Sequence, residues 1–242
     1  MKIVSTIGFI VNTTKYGENS KILNILTKEY GLIGVIAKGV MSPKSKNRIV
    51  SERFTYAKFN IYYKENKLCT LINADIIDYY RNIKSDITLI SYLTYLTELT
   101  HNVYKQNPDD CIFDLFISAI DKIENKFNPT IITNIIETKY LDYLGVGLNL
   151  NSCAVCGNNN IIALSHKEGG YICKDCYDTH GITNINSIKM IKLYYYVDIE
   201  KIKELNIKKD TVKDIDDFLY SYYRDYTGLY IKSKEFLSKL KA

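Results

Sequence analysis

The sequence predicts an α+β protein: a five-stranded antiparallel β-barrel at the front, then a mainly helical domain that carries a four-cysteine insertion. Three observations lead there. Residues 1–80 break into short β-branched and aromatic runs punctuated by turn formers. From Asp86 the apolar spacing changes from two to three and four, the period of an amphipathic helix. Two Cys-x-x-Cys pairs, Cys153 with Cys156 and Cys173 with Cys176, stand inside that second region at metal-ligand spacing.

The strands follow in order. Ile3–Thr13 is the first and Ser20–Thr27 the second; Lys28-Glu29-Tyr30-Gly31 then turns the chain into Leu32–Lys38, which Gly39 stops. Arg53–Lys64 and Lys67–Asp78 flank Glu65-Asn66 as a hairpin. Such a set suits an oligonucleotide-binding (OB) barrel, and an SH3-like barrel meets the same strand count. In the fourth strand Ala57, Phe59, Ile61 and Tyr63 share the face that fills a barrel. Tyr56, Lys58, Tyr62 and Lys64 share the other with Asn60, interleaving rings with ammonium groups. That face reads either as solvated surface or as a nucleic-acid contact.

Helices follow. Leu89, Leu93, Leu96 and Leu99 form one stripe, broken at Asn107-Pro108; Asp110–Lys126 is a second run, ended by Asn128-Pro129. Ile131, Ile132, Ile135, Ile136, Tyr140 and Leu144 form a third, closed by Gly145 and Gly147. Ser187–Lys203 and Thr211–Leu240 read as further helix, broken near Gly228. The stripes are core. The predicted division is a nucleic-acid-binding barrel over 1–80 and a helical domain over 81–242, with a metal module at 150–180.

Charge is distributed unevenly. Of 32 Lys and Arg and 27 Asp and Glu, residues 1–80 hold 12 and 6, which leaves 20 and 21 for the rest. The net +5 therefore lies in the barrel. An AT-rich codon bias explains abundant Lys and Tyr, but would not localise them. A basic module joined to a neutral one points to a polyanionic partner. The sharpest cluster is AKGVMSPKSKNR, where Lys38, Lys44, Lys46 and Arg48 occur with no acid among them. Gly39 and Pro43 preclude a continuous helix there, so an unstructured basic loop is expected. Its bland alternative is a solvated surface turn.

The paired cysteines match a zinc ribbon. Each two-residue gap lets two thiolates approach one ion from a tight knuckle, and Glu168-Gly169-Gly170 turns a hairpin between the pairs. Four thiolates leave no open coordination position, so one structural zinc per chain is expected. Disulfides are the competing reading, disfavoured in the cytosol. His166 and His180 are spare ligands, and Cys69 and Cys111 read as small buried hydrophobes.

No apolar run approaches the ~18 residues that span a bilayer, and the start lacks a signal peptide's pattern, so a cytoplasmic location is expected. There is no phosphate-cradling glycine loop, no HExxH and no GxSxG. The reading is a binding protein rather than an enzyme. Two alternatives remain: a zinc-ribbon transcription or adaptor protein that holds protein partners, and an enzyme with an unrecognised hydrolytic site.

Several segments together resemble the RecO family of bacterial DNA repair and recombination mediators. They are YGENSKILNILTKEYGLIGVIAKG (16–39) with the following SPKSK, ETKYLDYLGVGLNLNSCAVCG (137–157), the second cysteine pair, and GLYIKSKEFLSKL (228–240). The resemblance covers nearly the full length. It implies an N-terminal OB-fold, a helical bundle and, as in many members, a four-cysteine zinc site. It also implies binding of single- and double-stranded DNA, ATP-free annealing of complementary strands, and RecA loading at gaps. Its implied partners are RecR and the acidic tail of single-stranded DNA-binding protein, placing the chain near the nucleoid. Within the family the basic loop and barrel face contribute to DNA binding, which here means Lys38, Lys44, Lys46 and Arg48. The chain departs from the family at Val40 and Met41, where many relatives are basic, at Leu148, often Pro, and at Leu229, often Arg. Lys232 and Lys234 remain near that last position.

Overall fold

In the first eighty residues apolar side chains alternate with polar ones, and the chain closes on itself. The structure, a computed structural model, describes residues 2–241. Strands β1 (Lys2–Tyr16), β2 (Ser20–Thr27), β3 (Gly31–Ala37), β4 (Tyr56–Tyr63) and β5 (Cys69–Asp78) form a closed barrel in the order β1-β2-β3-β5-β4. All neighbours are antiparallel except β3 and β5, which run parallel. That is the five-stranded Greek-key order of an OB barrel.

Closure depends on β1. Its first half pairs with β4 from Lys2 to Phe9, and its second with β2 from Gly8 to Tyr16, with a register shift between Ile10 and Asn12. Gly8 is paired on both sides, and a Cβ there would lie 2.7 Å from Ile25 Cγ2, so the crossing point has no room for a side chain. Inside, Ile10, Leu23, Ile25, Val35, Phe59 and Ile61 are fully buried. Ala57, Phe59 and Ile61 face inward as their alternation predicts, with Tyr63 partly buried against them.

Strand β4 starts at Tyr56, three residues later than the sequence suggests. Phe54 takes a left-handed φ of 64°, and residues 54–55 hook onto β1: Phe54 N–H donates to Ile10 C=O, and Ile10 N–H to Thr55 C=O.

Beyond the barrel come a short α1 (Arg81–Lys84), then α2 (Ile87–Gln106), α3 (Asp110–Glu124), α4 (Pro129–Tyr143), a hairpin of β6 (Ile161–Ser165) and β7 (Gly170–Cys173), α5 (Ile185–Tyr196), α6 (Lys209–Tyr222) and α7 (Lys232–Lys241). Polar side chains start the helices. Asp86 accepts from the N–H groups of Thr88 and Leu89, and Asn128, just before Pro129, accepts from Thr130 and Ile131. Helix α5 ends at Tyr196 rather than Lys203, because Val197 is extended and Asp198 caps a separate 3-10 turn over Ile199–Lys201. After α6 a π-helical turn over Tyr223–Thr227 leads to Gly228, left-handed at φ 65°.

Helix α4 is the axis of the helical part: Ile131–Thr138 are all buried, and it packs on α2, α5 and α6. The chain divides into two compact units, residues 1–85 with 108–114 and residues 86–107 with 115–242. Among the described residues no helix is long and apolar enough to cross a membrane.

Candidate metal centre and nucleic-acid interface

The first cysteine knuckle is built by backbone bonds. Cys153 N–H donates to Asn158 C=O at 2.8 Å and Gly157 N–H returns to Cys153 C=O at 2.9 Å. Gly157 occupies the left-handed φ of 76° that this reversal needs. The second knuckle is the 3-10 turn Lys174–Cys176, directly after β7. Ala154 N–H donates to Tyr171 C=O, tying the first knuckle to the hairpin that delivers the second.

The four sulfur atoms lie within 4.8 Å of one another, and Cys156 Sγ is 3.5 Å from Cys173 Sγ. A tetrahedron of ~2.3 Å metal–sulfur bonds has edges of ~3.8 Å, so the thiols fit a single tetrahedral ion. All six cysteines are free thiols. Burial raises the Cys153 thiol, but N–H groups of Cys156, Cys173 and Val155 more than offset it and hold it at about 6. Hydrogen bonding with Cys156, then burial, pushes Cys176 up to about 12. Four thiols this close resist ionising together unless a cation neutralises them.

His166 and His180 lie outside the cluster. His166 Nε2 stands 3.7 Å from Asp225, and His180 Nδ1 is 2.9 Å from Asp178 C=O. Cys69 is buried in the barrel, but Cys111 is exposed, against the expectation from sequence. It sits on the first turn of α3, where its N–H donates to the Asp109 carboxylate and its side chain faces outward.

The basic loop differs more from expectation. It is not unstructured: it is a relay of tight turns. Ser42 N–H bonds to Gly39 C=O, Ser45 to Ser42, Arg48 to Ser45 and Ser51 to Arg48. Three further bonds anchor it. Gly39 N–H donates to Ser20 Oγ, Met41 N–H to Asn19 C=O, and Asn47 Nδ2 to Ile72 C=O. Val40, 1% exposed, is driven into the barrel core. Apolar burial and turn bonds thus order a segment that charge alone would leave loose. Lys38, Lys44, Lys46 and Arg48 all project into solvent, and no ion pair holds any of them among the described residues.

The outer face of β4 is dispersed along the strand. Tyr56 stacks on Tyr80, their centroids 6.2 Å apart, Lys58 is exposed and Tyr62 is half-buried. Lys64 lies just past the far end of β4, ~26 Å along the strand from Tyr56 at ~3.3 Å per residue. The eight side chains therefore do not form one cluster. Of the loop's anchors, Asn19 and Ser20 were not singled out by the sequence, and Val40 stood out only as an apolar residue where many relatives are basic.

Fold and site define a class: a closed OB-type barrel with an ordered cationic loop, followed by a helical unit that carries four clustered thiols able to hold a metal ion. Residues 1–80 match the family described as Recombination protein O N terminal, and residues 84–235 the family described as Recombination protein O C terminal. The chain belongs to the RecO family of DNA repair and recombination proteins. It is 31% identical over 242 residues to the DNA repair protein RecO of Halalkalibacterium halodurans, covering 97% of this chain and 94% of that protein. The DNA repair protein RecO of Bacillus subtilis is 30% identical over 240 residues, covering 97% and 94%. That of Listeria innocua is 30% identical over 237 residues, covering 95% and 92%.

Proposed function

We propose that this chain is a recombination mediator that binds DNA, anneals complementary single strands without ATP and helps RecA load on gaps coated by single-stranded DNA-binding protein. The observation that carries the reading is a RecO-family chain whose four loop cations, Lys38, Lys44, Lys46 and Arg48, are exposed on an ordered scaffold. Ammonium and guanidinium groups held by a fixed backbone meet phosphates with little ordering cost, and such contacts carry no sequence information. Annealing follows from neutralisation: two strands that repel in solution are held together until their bases pair. Lys58 and Lys64 on the barrel, with the rings of Tyr56 and Tyr62, extend the cationic surface.

The four cysteines hold one structural zinc. A closed thiolate shell leaves no position for substrate, so the ion supplies fold energy and no chemistry. RecR and the acidic tail of single-stranded DNA-binding protein are the protein partners. A tail that is acidic and ends in an apolar residue suits the apolar wall of Tyr220, Tyr223, Leu229 and Ile231 in a cleft of about 380 Å³ in the helical unit, which Glu235, Lys234 and the Asp225-paired Arg224 also line.

The test is annealing of complementary oligonucleotides by purified protein without nucleotide, on bare strands and on strands coated by single-stranded DNA-binding protein. The mediator reading requires faster annealing in both. A zinc-ribbon adaptor would leave the spontaneous rate unchanged, and cofactor-dependent cleavage of the strands would mark an enzyme.

A further inference from the structure

A second aromatic and cationic cluster occupies the barrel at the opposite end of β3 from the basic loop. Tyr30, from the turn before β3, and Tyr63, the last residue of β4, lie with ring centroids 4.5 Å apart at 37°. Lys2 Nζ stands 5.9 Å from the Tyr30 centroid and 5.6 Å from that of Tyr63. Beside the rings opens a cleft of about 430 Å³, lined among others by Leu32, Lys64, Lys67 and Leu68. That volume lies within the ~300–1,000 Å³ of ligand clefts. Gly34 shapes its floor: a Cβ there would come within 2.7 Å of Leu68 Cδ2, so the glycine lets Leu68 lie across β3.

The cleft's chemistry is selective. Glu29, the acid of the Tyr30 turn, accepts from the Thr6 hydroxyl, while Lys64 and Lys67 are exposed and no ion pair holds either among the described residues. Paired rings, the side chains of Leu32 and Leu68, and two ammonium groups in an otherwise polar cleft match a flat aromatic solute attached to a polyanion. A base inside a duplex cannot offer its face, whereas an unpaired one can.

We propose that this cleft is a single-strand subsite, in which an unpaired nucleobase stacks against the Tyr30–Tyr63 pair while Lys64 and Lys67 meet the flanking phosphates. The proposal rests on the reading of the chain as a DNA-binding protein. The cleft reaches Gly34 on β3, so its near wall lies ~13 Å of strand from Lys38, and one extended DNA strand running along β3 engages both. Holding bases by one face and phosphates by charge leaves the pairing edges open to a complementary strand.

The experiment compares, by fluorescence anisotropy over a range of salt, a labelled oligothymidylate with an abasic oligomer of the same length. The proteins are the full chain, Tyr30→Ala, Tyr30→Phe, the pair Lys64→Glu with Lys67→Glu, and the loop variant with Lys38, Lys44, Lys46 and Arg48 changed to Ala. The full chain should prefer the base-bearing oligomer by roughly five- to a hundredfold, the scale of base–aromatic stacking. Tyr30→Ala should abolish that preference, Tyr30→Phe should keep it, and the Lys64/Lys67 pair should weaken binding of both oligomers. A folded Tyr30→Ala that keeps the full preference overturns the subsite and leaves the proposed function standing. If Tyr30→Ala does not fold, the surface pair decides: unchanged affinity for both oligomers overturns the subsite. Absence of binding by the full chain to either oligomer would overturn the DNA-binding reading itself.

Discussion

Lys234 on α7 reaches a carboxylate that is almost wholly buried. Its Nζ is 2.5 Å from Glu137 Oε1 and 4.7 Å from the Tyr95 ring centroid; Glu137 is 1% exposed. Tyr95 donates its hydroxyl to the same oxygen, and burial, with Glu137 next in effect, pushes the Tyr95 phenol well above its ordinary range. Among the described residues Glu137 Oε2 has no hydrogen-bond partner, so the carboxylate depends on Lys234 for compensation. Lys234→Ala should therefore cost ~3–5 kcal/mol, the scale for stripping one partner from a buried pair, seen as a lower urea midpoint. Lys234→Met combined with Glu137→Gln should recover much of that loss, because the charge left behind is gone; a double variant no more stable than Lys234→Ala would refute this account. Gly170 offers a second case. A Cβ there would fall 2.2 Å from Asn149 C=O, a backbone atom that cannot swing aside. Gly170→Ala should lower the melting temperature by an amount matching ~1–3 kcal/mol of overpacking.

The basic loop and the cysteine hairpin reach order by different routes. The loop leans on the barrel through Val40 and its turn relay, so its charges are removable without unfolding it. Changing Lys38, Lys44, Lys46 and Arg48 to Ala should leave the melting temperature near that of the parent. If each cation meets one phosphate, the slope of log affinity against log salt should rise by about 2.8, at ~0.7 per single-strand contact. An unchanged slope removes the loop from the interface. The cysteine hairpin has only a small core of its own, Cys153, Ala163, Ile172 and Cys173. Metal analysis should give close to one zinc per chain, and Cys156→Ser should lower metal retention by orders of magnitude. Intact thiols with less than a tenth of an ion per chain would contradict the site.

At the level of the whole molecule, the two compact units should respond separately to metal removal. Treatment with a strong chelator should raise amide hydrogen exchange across residues 149–182, the segment that the proposed zinc would hold. Barrel amides in β1, β2 and β4 should keep their protection, since Phe9, Leu23 and Phe59 pack there without reference to the metal. Equal loss of protection in both units would show that the ion stabilises the chain as one cooperative body.

Local chemistry made much of this legible. Alternation along β4 showed which side chains fill the barrel, and the two Cys-x-x-Cys pairs carry their own geometry because a knuckle is closed by neighbouring backbone. The loop's cations were visible because like charges close in sequence stand out on one short loop. Other features arise from contacts between residues far apart in sequence. Glu137 drew no notice in the sequence, where it lies between Ile136 and Tyr140 of the third stripe, yet packing buries it beside Tyr95 of α2 and Lys234 of α7. Tyr63 reads as core, but Tyr30 meets it from another turn. The exposed Cys111 was hidden for the same reason: spacing along a chain sets which residues share a face, and only tertiary packing decides which face is covered.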